Sequence, residues 1–170
     1  GETQSEEYSG LNPKQKIPLM QDGDFVLSES LSICRYLQNK YPSDSMPLPT
    51  NKEEVAKEDE WCNYIYGEMD ETALYVMRRH YDLTDIYGES PIVVKACREY
   101  LERHLKVVDK HLRNHETLLE LGFGVADIML VTCLDWAKFY KFDLPKVTFD
   151  YHNRMKKRSN YVKARNINYA

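Results

Sequence analysis

No stretch of this 170-residue chain is apolar for long enough to span a bilayer, and no secretory leader pattern is visible. It also lacks an Asn-x-Ser/Thr glycosylation acceptor, a C-x-x-C pair and any Cys/His cluster with zinc spacing. Its four cysteines, Cys34, Cys62, Cys97 and Cys133, are far apart, and each lies in an apolar-periodic stretch. That pattern predicts buried free thiols in a reducing compartment, with the cytosol as the expected location. Positive charge is not in excess either. The net charge of -4 offers no electrostatic case for nucleic acid or an anionic membrane as the main partner. The one dense basic run, Lys156-Lys157-Arg158, reads as a solvated helix face. Repeats and low-complexity segments are missing. The rest is ordinary for a globular protein, with 42% apolar and 29% charged residues and enough length to bury a real core.

Two compositional zones are present. Residues 1–42 mix short strands with helix, and residues 52–170 read as entirely helical. Between them Pro42, Pro47 and Pro49 forbid a continuous helix, so 43–51 is the expected linker. In the first zone Leu31, Cys34, Leu37 and Tyr41 recur at helical spacing and predict one apolar face. In the second, Thr50 or Asn51 can cap a long helix that opens on Lys52-Glu53-Glu54. That helix runs through Trp61, Ile65, Met69 and Val76 towards Arg78-Arg79-His80.

Ser90-Pro91 opens a further helix whose stripe is Val93, Cys97, Leu101, Leu105, Val108 and Leu112. Val125–Leu134 is apolar nearly all round and predicts a buried central helix. Its start reads as a capping arrangement, with Gly124 as N-cap, Asp127 reaching back, and Phe123 stapled to Ile128. Gly supplies no side-chain oxygen there, a loss on the order of a few tenths of a kcal/mol. Two shorter helices are expected around 150–158 and 161–167. His104, His111 and His115 lie on or near one helix without a partner pattern for a metal, and a polar-face role is expected for them.

The segment Lys16-Ile17-Pro18-Leu19-Met20, Gly23-Asp24-Phe25-Val26-Leu27 and Ser28-Glu29-Ser30-Leu31 reads as strand, turn, strand, helix. It offers two devices for a small anionic peptide. One is a backbone edge held open at a proline. The other is a helix N-terminus carrying a carboxylate and a hydroxyl. Taken singly, each has a plainer reading: an Ile-Pro step is a common strand edge, Ser28 or Ser30 can be a simple N-cap, and Lys16 can be a solvated lysine.

In chain order, Asn12-Pro13-Lys14-Gln15-Lys16-Ile17-Pro18-Leu19, Glu29-Ser30, the Pro-rich linker, Val125-Ala126-Asp127 and Arg154-Met155…Arg158 resemble the cytosolic glutathione S-transferases. The resemblance spans nearly the whole chain. It implies an α+β N-terminal thioredoxin-like domain joined to an all-α C-terminal helical bundle, usually in a homodimer. It also implies glutathione as cosubstrate, no metal, a small hydrophobic electrophile, and a role in detoxification in the cytoplasm. By this resemblance Ile17 pairs its backbone with the cysteinyl unit, Pro18 is cis, Glu29 meets the γ-glutamyl ammonium, Ser30 takes the carboxylate, and Lys16 lies near the peptide.

The front end departs from the family. A thioredoxin-like domain opens with strand, helix, strand, and the sulfur-activating Tyr, Ser or Cys comes after the first strand. Gly1–Tyr8 already resembles the segment after the second strand, so a βαβ-sized unit of about 30 residues is expected to precede this sequence in a longer native chain. The catalytic residue is therefore not named. Two functions fit the sequence: a transferase acting through the glutathione thiolate, and a non-catalytic binding or dimerisation module of the same fold. Trp61, Tyr64, Tyr66 and Tyr75 make the post-linker helix aromatic but scatter round it, so none is assigned to a substrate.

Overall fold

The structure is a computed structural model describing residues 2–168. They form two compact units that divide between Leu48 and Pro49.

The first unit opens with a 3₁₀ turn (Glu2–Gln4) and α1 (Glu6–Leu11), whose N-cap Ser5 accepts from the Tyr8 amide. The hairpin β1 (Leu19–Asp22) and β2 (Phe25–Ser28) is next, then α2 (Ser30–Lys40). The strands are antiparallel, with Leu19 opposite Ser28 and Asp22 opposite Phe25. Gly23 turns the chain at φ 62°, a conformation glycine adopts without a Cβ clash. Lys16–Pro18, expected within the first strand, lies outside it. Pro18 has no N–H for the ladder, and pairing begins one residue later.

Helix α2 is tied to the hairpin by polar groups. The Tyr36 ring lies tilted against Phe25 with centroids 5.1 Å apart, its hydroxyl donates to Asp22 at 2.7 Å, and the Lys40 ammonium also reaches Asp22. The predicted apolar face is only partly used: Leu37 and Tyr41 are exposed, while Gln38 is buried. Gln38 donates to the Pro47 carbonyl at 3.1 Å, so this side of α2 meets backbone of the following segment. A two-stranded sheet is too narrow to cover a whole helical face.

The second unit is all helix: α3 (Lys52–Tyr64), a π-helical stretch (Ile65–Tyr75), α4 (Val76–Tyr81), α5 (Thr84–Tyr87), α6 (Pro91–Leu112), α7 (Val125–Phe139), α8 (Lys146–Met155) and α9 (Ser159–Asn168). Asn51 caps α3 by accepting from the Glu54 amide at 2.8 Å. Ser90 occupies the N-cap of α6 without a side-chain bond. Helix α8 starts at Lys146, immediately after Pro145, four residues earlier than expected. Cys97, Leu101, Leu105, Val108 and Leu112 are buried as the stripe predicted, and α7 buries eight of its residues. All four cysteines are free thiols; three are buried and Cys34 is half-buried.

The π stretch corrects the helical register. Ile65 and Met69 are in the core, but beyond them Ala73, Leu74 and Met77 are buried and Val76 is only half-buried. The wider turn moves the apolar face round the axis, and Thr72 donates its hydroxyl to the Gly67 carbonyl, five residues back.

Within this stretch burial, then the neighbouring Glu71 carboxylate, pushes the Asp70 carboxyl up to about 6. The folded chain therefore binds more protons than the unfolded one between pH 4 and 6. Stability falls as pH rises through that window. With a discount for its partial exposure, Asp70→Asn should stabilise the protein by about 1 kcal/mol at pH 7.5. The gain should vanish near pH 4 in denaturant melts; a gain independent of pH would contradict the assignment.

Helices α7 and α8 share an unusual capping arrangement. Their N-caps, Gly124 and Pro145, carry no side-chain acceptor, and buried carboxylates from other helices serve instead. Glu58 of α3 accepts from the Val125 amide at 3.3 Å. Asp109 of α6 accepts from the Val147 and Thr148 amides, both at 3.1 Å. The orphan N–H groups of a helix start are thus satisfied by tertiary contact.

Candidate functional site

The hairpin register brings the two halves of the predicted cradle to one end of the first unit. Ile17-Pro18 immediately precedes β1 and Glu29-Ser30 immediately succeeds β2, and Leu19 faces Ser28 at that end. The Ile17-Pro18 peptide bond is cis. Ile17 is 75% exposed, and among the described residues its backbone N–H and C=O have no hydrogen-bond partner. The Lys16 carbonyl beside it is held by two donors, the Tyr8 hydroxyl and the Asn12 amide, each at 2.7 Å. Asn12 is buried, so α1 anchors the approach to the open edge.

At the opposite corner Glu29 occupies the N-cap of α2 at φ 75° and ψ 123°, in the left-handed region that a non-glycine residue rarely enters. Such a conformation costs about 1–3 kcal/mol and persists only where the surroundings hold it. The Glu29 carbonyl accepts from the Ile33 amide at 2.9 Å, starting the helix ladder. Ser30 is the first residue of the helix, where amide N–H groups point outward and the dipole favours an anion. The Lys14 ammonium donates to Glu29 Oε1 at 2.6 Å and to Ser28 Oγ at 2.9 Å. An ammonium can therefore reach the carboxylate. Both side chains are more than half exposed, so the pair contributes at most about 1 kcal/mol to stability.

Residues 66–160, more than half of the chain, match the family described as glutathione S-transferase, C-terminal domain, and residues 1–47 match its N-terminal domain. This chain belongs to the glutathione S-transferase family. It is 31% identical over 142 residues to glutathione S-transferase GstA of Escherichia coli O157:H7, covering 82% of this chain and 66% of that protein. Against bovine glutathione S-transferase theta-1 it is 28% identical over 135 residues, covering 78% of this chain and 56% of the relative. The chain thus spans about two thirds or less of the length of these relatives. The fold matches that of the Phanerochaete chrysosporium glutathione transferase URE2P8, solved with oxidized glutathione. The TM-score is 0.82 at 24% identity, over 95% of this chain and 76% of that one.

The structure thus gathers Ile17, Pro18, Glu29 and Ser30 at one end of the hairpin, with Lys16 at its approach. Sequence reasoning missed Tyr8, Asn12 and Lys14. Asn12-Pro13 was an available signal, since Asn often bonds backbone two residues on, as its Oδ1 does with the Lys14 amide at 3.2 Å. Nothing local marks Tyr8 or Lys14, because their partners are eight and fifteen residues away. Among the described residues no group of three or more His, Cys, Asp or Glu is placed to hold a metal, and no helix is long and apolar enough to cross a membrane.

Proposed function

We propose that this chain holds glutathione at the open end of the β1–β2 hairpin and acts as a glutathione transferase on a small hydrophobic electrophile. The observation carrying this reading is the backbone of Ile17, which has no hydrogen-bond partner among the described residues, beside the acidic N-cap of α2. Ile17 would pair antiparallel with the cysteinyl unit, a one-residue β-augmentation, with Pro18 shaping the edge. The Glu29 carboxylate would accept the γ-glutamyl ammonium in the manner it accepts Lys14. The Ser30 hydroxyl and the first amides of α2 would donate to the adjacent carboxylate. Lys16 lies at the approach and would offer its ammonium to the peptide's second carboxylate.

In the reaction the glutathione thiol loses its proton to solvent, the thiolate sulfur forms a bond to the electrophilic carbon, and the leaving group departs with its electron pair. The group that lowers the thiol pKa is not assigned to a residue of this sequence. Residues 1–42 form the glutathione-binding part in this reading, 43–51 the linker and 52–170 the helical domain. A homodimer working in the cytoplasm in detoxification completes it.

The test is retention on immobilised glutathione with a parallel assay of thiol conjugation to an aryl halide. Glu29→Ala and Ser30→Ala should each lower glutathione affinity tenfold or more, about 1.4 kcal/mol, while remaining folded. Unchanged retention of folded variants would sink the site. Retention without turnover would leave the non-catalytic module. Sedimentation of the same protein should give twice the chain mass.

A further inference from the structure

The helical unit holds a cavity of about 360 Å³ formed by α3, the end of α6 and the segment leading to α7. Three of its lining rings adjoin, two stacked imidazoles and an indole tilted by 60° to the nearer one. His111 and His115 lie parallel with centroids 4.2 Å apart, and the Trp61 ring is 4.6 Å from His111. Leu118, Leu119 and Leu121 form an apolar wall, and Glu53, Glu54, Glu60 and Glu120 line the rest with Lys57. Lys57 is bonded to Glu60 at 2.5 Å, which leaves an excess of three negative charges when the imidazoles are neutral.

The hydrogen bonds identify the tautomers. His111 Nε2 lies 3.1 Å from the Leu118 carbonyl and His115 Nδ1 lies 2.9 Å from the His111 carbonyl. A carbonyl only accepts, so both of these nitrogens carry hydrogen. In the neutral rings the remaining nitrogens, His111 Nδ1 and His115 Nε2, are acceptors. Burial, followed by the neighbouring His115, lowers the pKa of His111 and favours its neutral form at pH 7.

We infer that this cavity binds an organic cation bearing N–H donors, a primary ammonium or a guanidinium on a small apolar body. The volume lies at the lower end of small-molecule sites. An indole face attracts a cation through its quadrupole, the more strongly when water is excluded. The acidic lining supplies the counter-charge, and two imidazole lone pairs reward N–H over N–CH₃. The apolar wall takes the body of the ligand. An anion such as glutathione meets the wrong sign here, so the inference does not rest on the glutathione reading.

The experiment is calorimetric titration of the full chain at pH 7.5 with phenethylammonium chloride. Phenethyl alcohol serves as the neutral isostere and phenethyltrimethylammonium as the cation without N–H. One saturable site per chain is expected, with the alcohol at least tenfold weaker and the quaternary cation in between. Trp61→Leu and the double variant Glu53→Gln/Glu120→Gln should each weaken the ammonium at least tenfold. Glu99→Gln, an exposed carboxylate of α6 outside the cavity, should leave affinity unchanged. Equal binding of ammonium and alcohol, no saturable heat, or no loss in the cavity variants would each overturn the inference. A variant that fails to fold is replaced by Trp61→Phe, which keeps an aromatic face and should lose only part of the affinity.

Discussion

Asp127→Ala should cost the helical unit about 3–5 kcal/mol, because a fully buried carboxylate that joins three segments is lost at once. Asp127 Oδ2 accepts from the Gly124 amide at 3.0 Å, closing the start of α7 on itself. Its Oδ1 accepts from the Leu118 amide at 3.0 Å and from the Tyr151 hydroxyl at 2.6 Å. Tyr151 belongs to α8 and is itself 1% exposed. Truncation therefore leaves two buried amides and a buried hydroxyl without an acceptor, where water cannot replace it. The chain's two tryptophans, Trp61 and Trp136, both lie in the helical unit, so their fluorescence in a guanidinium titration reports this unit directly. A midpoint shift equivalent to less than about 1 kcal/mol would show that the network is dispensable. Asp127→Asn keeps one acceptor oxygen and should recover part of the loss.

Gly124→Ser should have opposite effects in two backgrounds. A Cβ at Gly124 would stand 2.8 Å from Glu58 Oε1, closer than real Cβ contacts come, so serine in the wild type must displace the carboxylate from the Val125 amide. Glu58 is 4% exposed and has little room to retreat. The expected cost is about 1–2 kcal/mol. Glu58→Ala alone orphans the Val125 N–H and should cost about 1–3 kcal/mol. In that background the space is vacated, Gly124 has the extended backbone an N-cap serine adopts, and Gly124→Ser should stabilise by up to about 1 kcal/mol. A double-mutant cycle measures the coupling. Additivity within about 0.3–0.5 kcal/mol would refute the exchange of a local cap for a distant one.

These two sites show where local pattern is sufficient and where it stops. Asp127 three residues after a glycine, before an apolar run, is a capping signal read within one turn of helix, and the structure keeps that bond. Glu58 is 67 residues from the amide that it caps. Its neighbours in sequence, Lys57, Asp59 and Glu60, are all charged and give no local sign that this residue is buried. Only packing of α3 on α7 selects this carboxylate for burial. The expectation of a weakened cap at Gly124 was right about the missing oxygen and silent about its replacement.

The same division holds at the hairpin end. Ile17-Pro18 and Glu29-Ser30 each have a plainer reading taken singly, a proline at a strand edge and a polar pair at a helix start, and it was their order along the chain, resembling that of the glutathione S-transferases, that made them recognisable. Their convergence comes from antiparallel register, which is also local, since a two-residue turn joins the strands. Sequence alone therefore placed the hairpin and the helix after it, the long helices of the second zone and most of the core stripes, but not α1 or α5. Tertiary structure decided which side chains hold that cradle still, namely Tyr8, Asn12 and Lys14. It also decided the shifted face beyond the π stretch, the distant caps, and the meeting of His111, His115 and Trp61 over an acidic cavity. Those contacts join residues on different elements, and periodicity along one element carries no information about the groups its neighbour will present.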